Sequence, residues 1–577
     1  MGILFRLLVI LHFPLVTLAT DKMLCEHIVL KEGSLSLNEN EKILVCGTSK
    51  GTEAWQEVPL PQAQWELNNI LRSQGYLQAR FERQGEWLLV WSGPRTTITR
   101  LEVHGGQNLL HPEKKRKVIG FPLMADKLNE VRRWAEEGLR GQGFACHDIR
   151  LEAHTWDASV HVLVEEKPRQ KIRDLTYSGL EGLHVDTFQR YLAFAKGDLY
   201  DIRETQLTSE RLLADGLFQS AYYVTNCQED QVDLELRASV GKPRIFRFGI
   251  GASTEELPFT EINFRNARLD NRASSFSASL YASNKRQSLD FRSQLYWFIG
   301  YPRLFFGPRF RSERQSETTY ELLTSKAGAD AGVFWDLWKV RFLGRFGPTL
   351  NYTKTVRGWG PADTTYTSVE GNVSFQSHLY ELFPREQFEG WSGGVQLIGI
   401  RRGLGSPFSV DRYDANFKYL WNIGSYSPPL FILGSRFQGS TVLAHEQRPE
   451  NIRSALPLEY RIFMGGDDNL RGFSRKSLNN KGLGYLTAFY AGFELRLIEQ
   501  LPYRLQPLLL WDIAAFGNRA QTLDPPRFLS EGMGLRWATM FGTLRGSAAR
   551  GRIWNGDATT QAYQQEWIYF LSFGQEF

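Results

Sequence analysis

The sequence predicts two regions of different class: a run of small α+β repeats, then an all-β region that closes as a barrel or packs as a sandwich. Three observations predict this. A Pro-Arg pair recurs at Pro94-Arg95, Pro168-Arg169 and Pro243-Arg244, with spacings of 74 and 75 residues, and a fixed period marks repeated supersecondary units. After the third pair, helical periodicity fades and two-residue alternation with aromatic residues and glycine takes over. The 577 residues carry 13% aromatics and 52 glycines, which suits many short strands with rings on one face and glycines at turns and crowded backbone.

The elements follow in order. Arg6 precedes the apolar stretch Leu7 to Leu18 and the small residue Ala19, so residues 1–19 read as a secretory signal peptide. Pro14 and the short length count against an anchor helix. No later segment approaches about 18 uninterrupted apolar residues. If the mature chain enters a membrane, it crosses as a closed barrel, because only that form pairs every strand's backbone. The repeats occupy 22–95, 96–168 and 169–243. Each ends in an alternating strand before its Pro-Arg pair: Trp87 to Trp91, Val160 to Val164 and Val232 to Leu236. Upstream, helical patterns over Trp65–Gln74, Leu128–Gln142 and Leu207–Asp215 stop at Gly75, Gly143 and Gly216, where glycine accepts the left-handed conformation. Trp65, Leu67, Ile70 and Leu71 read as the core face of the first of these helices, with a docking surface as the alternative.

Residues 244–577 alternate. Leu289 to Leu295 is one such stretch; in another, Tyr485 to Leu497, Phe489, Phe493, Leu495 and Leu497 share one face and Tyr490, Gly492, Glu494 and Arg496 the other. A soluble sandwich turns the apolar face to a core, whereas a membrane barrel turns it to lipid and keeps a polar lumen; alternation alone does not separate them. The last strand favours a barrel closing on its final residues: Trp567, Tyr569, Leu571, Phe573 and Phe577 share one face, and the sequence ends at that phenylalanine.

Charge and cysteine usage exclude some partners. A net charge of +5 is small for this length and does not indicate a nucleic-acid binder. The run Lys114 to Lys117 reads as a solvated loop. Cys25 and Cys46 are close enough in sequence to bridge within one small domain, whereas Cys146 and Cys227 are far apart. The lack of a Cys-x-x-Cys spacing argues against a zinc site. No HExxH and no phosphate-cradling GxxxxGK stands in the chain, so the expectation is a protein without catalytic activity or cofactor.

The segment Met464-Gly465-Gly466-Asp467-Asp468-Asn469-Leu470-Arg471-Gly472-Phe473 resembles the loop signature of the outer-membrane protein assembly and transport superfamily, which contains BamA, TamA and two-partner secretion pores. The resemblance implies polypeptide-transport-associated (POTRA) domains, here three, followed by a transmembrane barrel of about 16 antiparallel strands over 244–577. Three repeats resemble the TamA group. By the same resemblance the loop folds into the lumen and Arg471 meets Glu494 and Asp512, while Gly465, Gly466 and Gly472 let the backbone turn and approach the wall. Leu470 and Phe473 complete the motif, and Tyr569, Leu571, Phe573 and Phe577 form the C-terminal strand signal.

The function so implied is translocation and assembly of client proteins, autotransporters or barrels, in the bacterial outer membrane. The POTRA domains would face the periplasm, a periplasm-spanning TamB-like partner would dock on the first repeat, and outer-membrane lipid would surround the barrel. The first strand, near Ile245 to Gly251, and the last, Glu566 to Phe577, would pair weakly and open sideways. The alternative is a two-partner-secretion type pore exporting one dedicated exoprotein.

Overall fold

The computed structural model describes residues 22–32, 35–47, 58–106, 109–165, 167–180, 182–256, 258–383, 387–425, 429–445, 456–498, 501–539, 542–554 and 563–573. The expected signal peptide, residues 1–19, and Phe577 lie outside them. The chain divides into two compact units, Met1–Lys167 and Pro168–Phe577.

The first unit holds two small α/β sheets. One contains β1 (Lys22–Cys25) and β2 (Ile28–Glu32), then α1 (Glu39–Cys46), α2 (Leu60–Ser73), β3 (Arg80–Gln84) and β4 (Trp87–Trp91), with strand order β1-β2-β4-β3. A Cys25–Cys46 disulfide ties β1 to the end of α1. The other contains β5 (Arg100–His104), α3 (Pro112–Arg116), α4 (Ala125–Gly141), β6 (Ile149–His154) and β7 (Ser159–Val164), ordered β5-β7-β6. In both, the last strand lies parallel to the strand that precedes the helices, β2 or β5, and antiparallel to its hairpin partner. A parallel neighbour requires a crossover, and the helices provide it.

Two sequence expectations need correction here. Trp65 is not on the core face: Leu67, Ile70 and Leu71 are buried, but Trp65 is 60% exposed. It stands two residues from Leu67, about 200° around a 3.6-residue helix, which points it away from the sheet. Lys114 to Arg116 form the last turn of α3 rather than a loop, where cations suit the carbonyl end of a helix. The Lys114 ammonium lies 5.3 Å from the centre of the Trp134 ring, and burial lowers its pKa.

The second unit begins with a third sheet of the same plan: β8 (Lys171–Ser178), α5 (Ile202–Ala214), β9 (Phe218–Gln228) and β10 (Gln231–Val240), ordered β8-β10-β9. The glycines that follow α2, α4 and α5 have φ of +90° (Gly75), +101° (Gly143) and +70° (Gly216), the left-handed stop that few other residues adopt.

Sixteen antiparallel strands then close into a barrel: β11 (Arg244–Ser253), β12 (Phe259–Asn266), β13 (Ser275–Ala282), β14 (Arg286–Gln294), β15 (Leu304–Ser316), β16 (Glu321–Leu337), β17 (Val340–Arg357), β18 (Asp363–Ser377), β19 (Gly390–Ile400), β20 (Val410–Ile423), β21 (Phe431–Ala444), β22 (Thr487–Leu497), β23 (Leu505–Gly517), β24 (Asp524–Thr539), β25 (Gly542–Trp554) and β26 (Tyr563–Phe573). A short helix, α6 (His378–Leu382), joins β18 to β19. The alternation sorts the two faces. On β22, Tyr490, Glu494 and Arg496 are buried inside, and Phe489 and its alternates point outward. On β26, Tyr569 and Leu571 point outward, while Phe570 and Ser572 are buried.

The outer face carries a continuous row of rings. Trp335, Phe342, Phe375, Trp391, Phe417, Phe437 and Phe493 sit on consecutive strands β16 to β22, with neighbouring ring centres 5.1 to 6.5 Å apart. Aromatic girdles of this kind mark the interfaces of membrane-spanning barrels.

The third sheet is fastened to the barrel's short turns. Arg211 on α5 donates to Glu381 of α6 at 2.9 and 2.6 Å and to Asp336 of β16 at 2.8 Å. Arg190 donates to the backbone carbonyls of Arg272 and Ala273 between β12 and β13, both at 3.0 Å.

Candidate functional site: a loop locked in the barrel lumen

Residues 456–486, between β21 and β22, fold inside the barrel. Ile462, Met464, Leu470 and Phe473 pack with the inward side chains of Tyr490, Ala514, Phe516 and Phe528 from β22 to β24. The loop reverses around Gly465 and Gly466, at φ of +108° and +116°. Asn469 Oδ1 accepts from the Gly465 and Leu470 amides at 2.7 and 2.8 Å. Gly472 is needed for closeness: a Cβ there would stand 2.4 Å from the Gly551 nitrogen on β25. Gly551 answers it, since a Cβ on that residue would meet the Gly472 carbonyl at 2.5 Å. Two glycines therefore let the loop backbone lie directly against the wall.

This contact places Arg471, which is 0% exposed, over two inward carboxylates on adjacent strands. Its Nε and Nη2 donate to Asp512 Oδ2 and Oδ1 at 2.9 and 2.7 Å, its Nη1 to Glu494 Oε2 at 2.7 Å, and its amide to Asp512 Oδ2 at 3.1 Å. The Asp512 pair is bidentate, the arrangement that a planar guanidinium suits. The wall adds more cations: Arg496 Nε and Arg545 Nη2 donate to Glu494 at 2.6 and 3.1 Å. The Tyr490 hydroxyl donates to Asp512 Oδ1 at 3.0 Å and accepts from Arg436 at 3.2 Å.

Two further anchors are absent from the sequence reading. Arg475 reaches Glu317, between β15 and β16, at 3.1 Å, and Glu256, between β11 and β12, at 2.8 Å. Its neighbour Glu255 accepts from the Asp467 amide at 3.2 Å; burial raises the Glu255 pKa to about 7, with Arg475 opposing the rise. Glu459 is clasped by Thr353 Oγ1 at 2.6 Å, the Lys326 ammonium at 2.9 Å and the Tyr366 hydroxyl. The loop is thus held at β16 to β18, at β22 to β23 and at the turn that follows β11. Arg475 lies four residues beyond Arg471, the one local hint; Glu459 offers none.

The barrel closes where β11 meets β26. Among the described residues this ladder consists of Ala252 opposite Phe573 and Ser253 opposite Ser572, whereas β20 and β21 pair from Val410–Ala444 to Ile423–Phe431. The outward side chains of β11, Phe246, Phe248 and Ile250, are exposed. Beside the loop, the lumen holds a cavity of about 630 Å³ lined by Arg292, Arg309, Lys326, Asp330, Arg345 and Glu370 among others.

Gly47-Thr48-Ser49-Lys50-Gly51 and Gly390-Trp391-Ser392-Gly393-Gly394 have the spacing of a nucleophile elbow, which requires a strand-to-helix turn. The first follows a helix, and residues 48–57 lie outside those described; the second runs along strand β19. Of the C-terminal residues, Tyr569, Leu571 and Phe573 lie on β26.

No family model matches this sequence, and no curated protein matches it. Among solved structures, the chain is similar to BamA from Haemophilus ducreyi lacking POTRA domains 1–3, at TM-score 0.49 and 13% identity, covering 83% of this chain and 99% of that one. It is similar to CdiB from Acinetobacter baumannii at TM-score 0.45 and 13% identity, covering 89% and 97%. CdiB from Escherichia coli follows at 0.44 and 12%, covering 88% and 95%.

Proposed function

We propose that this chain is a translocation and assembly factor of the bacterial outer membrane, in which the barrel spans the lipid and the three small α/β domains lie in the periplasm as POTRA domains. The observation that carries this reading is the buried Arg471 latch in a barrel that follows three small α/β domains: a plain diffusion channel has no need of that combination. The edges of the POTRA sheets offer backbone groups to an extended client or partner, in which backbone bonds give affinity and side-chain pockets give selection. Clients are barrel or autotransporter-type proteins. A TamB-like protein that spans the periplasm docks on the first domain, where the outward Trp65 supplies an exposed aromatic anchor. The action is not enzymatic, and client folding in the bilayer drives it.

The polar lumen cavity favours a second reading, a two-partner-secretion type pore for one exoprotein. Affinity purification of the mature chain from native outer membranes separates the two. Recovery of a large periplasm-spanning protein, lost on deletion of residues 22–95, is the expected result. Recovery of a single secreted adhesin instead sinks the assembly reading.

A further inference from the structure

The exposed face of the second sheet carries a cluster with no part in the barrel. Leu101, Val160 and Val162 point into that domain's core, so the two-residue period of strands sends Glu102, His104 and His161 to the opposite face. In register Glu102 on β5 stands beside His161 on β7. Glu102 Oε2 lies 3.4 Å from His104 Nε2 and 3.4 Å from His161 Nδ1, and the two nitrogens are 3.0 Å apart. A tetrahedral zinc ion with bonds of about 2.0–2.1 Å holds its ligand atoms roughly 3.3 Å from one another. These three atoms already form a triangle of that size.

A supporting layer holds the donors. The Ser159 hydroxyl donates to Asp157 Oδ1 at 2.9 Å, so the 3.0 Å contact between Ser159 Oγ and His161 Nε2 is donated by the imidazole. That fixes the proton on Nε2 and leaves the Nδ1 lone pair facing Glu102 and His104, as outer hydrogen bonds do for metal-ligating histidines. Arg100 Nε holds the other Glu102 oxygen, Oε1, at 2.7 Å and leaves Oε2 free to ligate. The ring planes of His104 and His161 are 14° apart. His104, with 52% of its side chain exposed, has room to tilt toward Glu102 so that both face one ion.

We propose that Glu102, His104 and His161 form a binding site for a divalent transition metal of the zinc class, with the fourth position open to water or to a donor from another molecule. The sequence expectation against zinc rests on cysteine spacing; this ligand set is nitrogen and oxygen, assembled from two strands 57 residues apart. The site staples β5, an edge strand of its sheet, to β7.

The test uses the full mature chain in detergent, purified through a tag without histidine and titrated with Co²⁺ and then Zn²⁺. One equivalent of Co²⁺ should give the intense visible absorption of tetrahedral coordination, and Zn²⁺ should abolish it. His104→Ala or His161→Ala should weaken binding by at least about 100-fold, and Ser159→Ala by about 10- to 100-fold, with circular dichroism unchanged. His154→Ala, which alters a neighbouring ring outside the ligand set, should bind as the parent does. A tetrahedral signal that is absent, or that survives His161→Ala or is lost with His154→Ala, overturns the proposal.

Discussion

At Arg471 the question is which partner bears most of the burial of a guanidinium. Asp512 accepts three bonds from Arg471, including that from the backbone amide, while Glu494 accepts one and is also served by Arg496 and Arg545. Removing one member of a buried pair costs about 3–5 kcal/mol because the other charge is stranded. Asp512→Ala leaves Arg471 leaning on Glu494, a carboxylate it shares with Arg496 and Arg545, and should weaken loop docking by about that amount. Arg471→Ala should cost less, because Asp512 keeps Tyr490 and Glu494 keeps two arginines. Hydrogen exchange of residues 464–474 checks the order; equal or reversed losses refute it. Glu255 adds a pH dependence. Its pKa is raised to about 7 in the docked loop, from about 4.3 when solvated, so the docked state binds the extra proton between those values. Docking should therefore strengthen as pH falls from about 7 toward 4.5 and weaken as it rises through 7, and Glu255→Gln should flatten the exchange profile in that window. The Arg471 contacts were legible because the loop motif is local and its resemblance names the partners. Those of Arg475 were not, since Glu317 stands 158 residues earlier and only barrel closure brings them together.

Among the described residues, the ladder between β11 and β26 is the shortest in the barrel. Antiparallel ladders are stabilised pair by pair, and this one rests on Ala252–Phe573 and Ser253–Ser572 among the described residues. If opening here admits clients, a disulfide between Ser253→Cys and Ser572→Cys should block assembly of a client barrel in reconstituted vesicles, and reductant should restore it. A matching disulfide across Ser312 and Ser325, paired within β15 and β16, should change nothing. Client assembly that proceeds at the parent rate with the seam locked refutes lateral opening. Strands and helices of this kind announce themselves by period: Trp87–Trp91 and the alternation of β22 stand where the sequence places them. Helix starts were less visible. The helix read from Trp65 begins at Leu60, because Pro61 sits in the first turn, where a missing amide costs nothing.

The whole molecule divides at Lys167 and Pro168, so the third repeat shares a unit with the barrel. Sequence period treats the three repeats alike, since it reports the internal plan of each sheet and not what its surface meets. The difference lies in Arg211, with a side chain only 4% exposed, that joins α5 to Asp336 and Glu381 of the barrel turns. An exposed ion pair adds little, but one so buried fixes geometry and is costly to break. Arg211→Ala should therefore cost about 3–5 kcal/mol and let α5 exchange its amides independently of the barrel strands. Changing Glu381→Ala in the same chain should cost much less than the sum of the two single changes, because partners in one network are not additive. If the two losses simply add, Arg211 acts through packing alone, and the third domain is joined to the barrel by the backbone contacts of Arg190 instead.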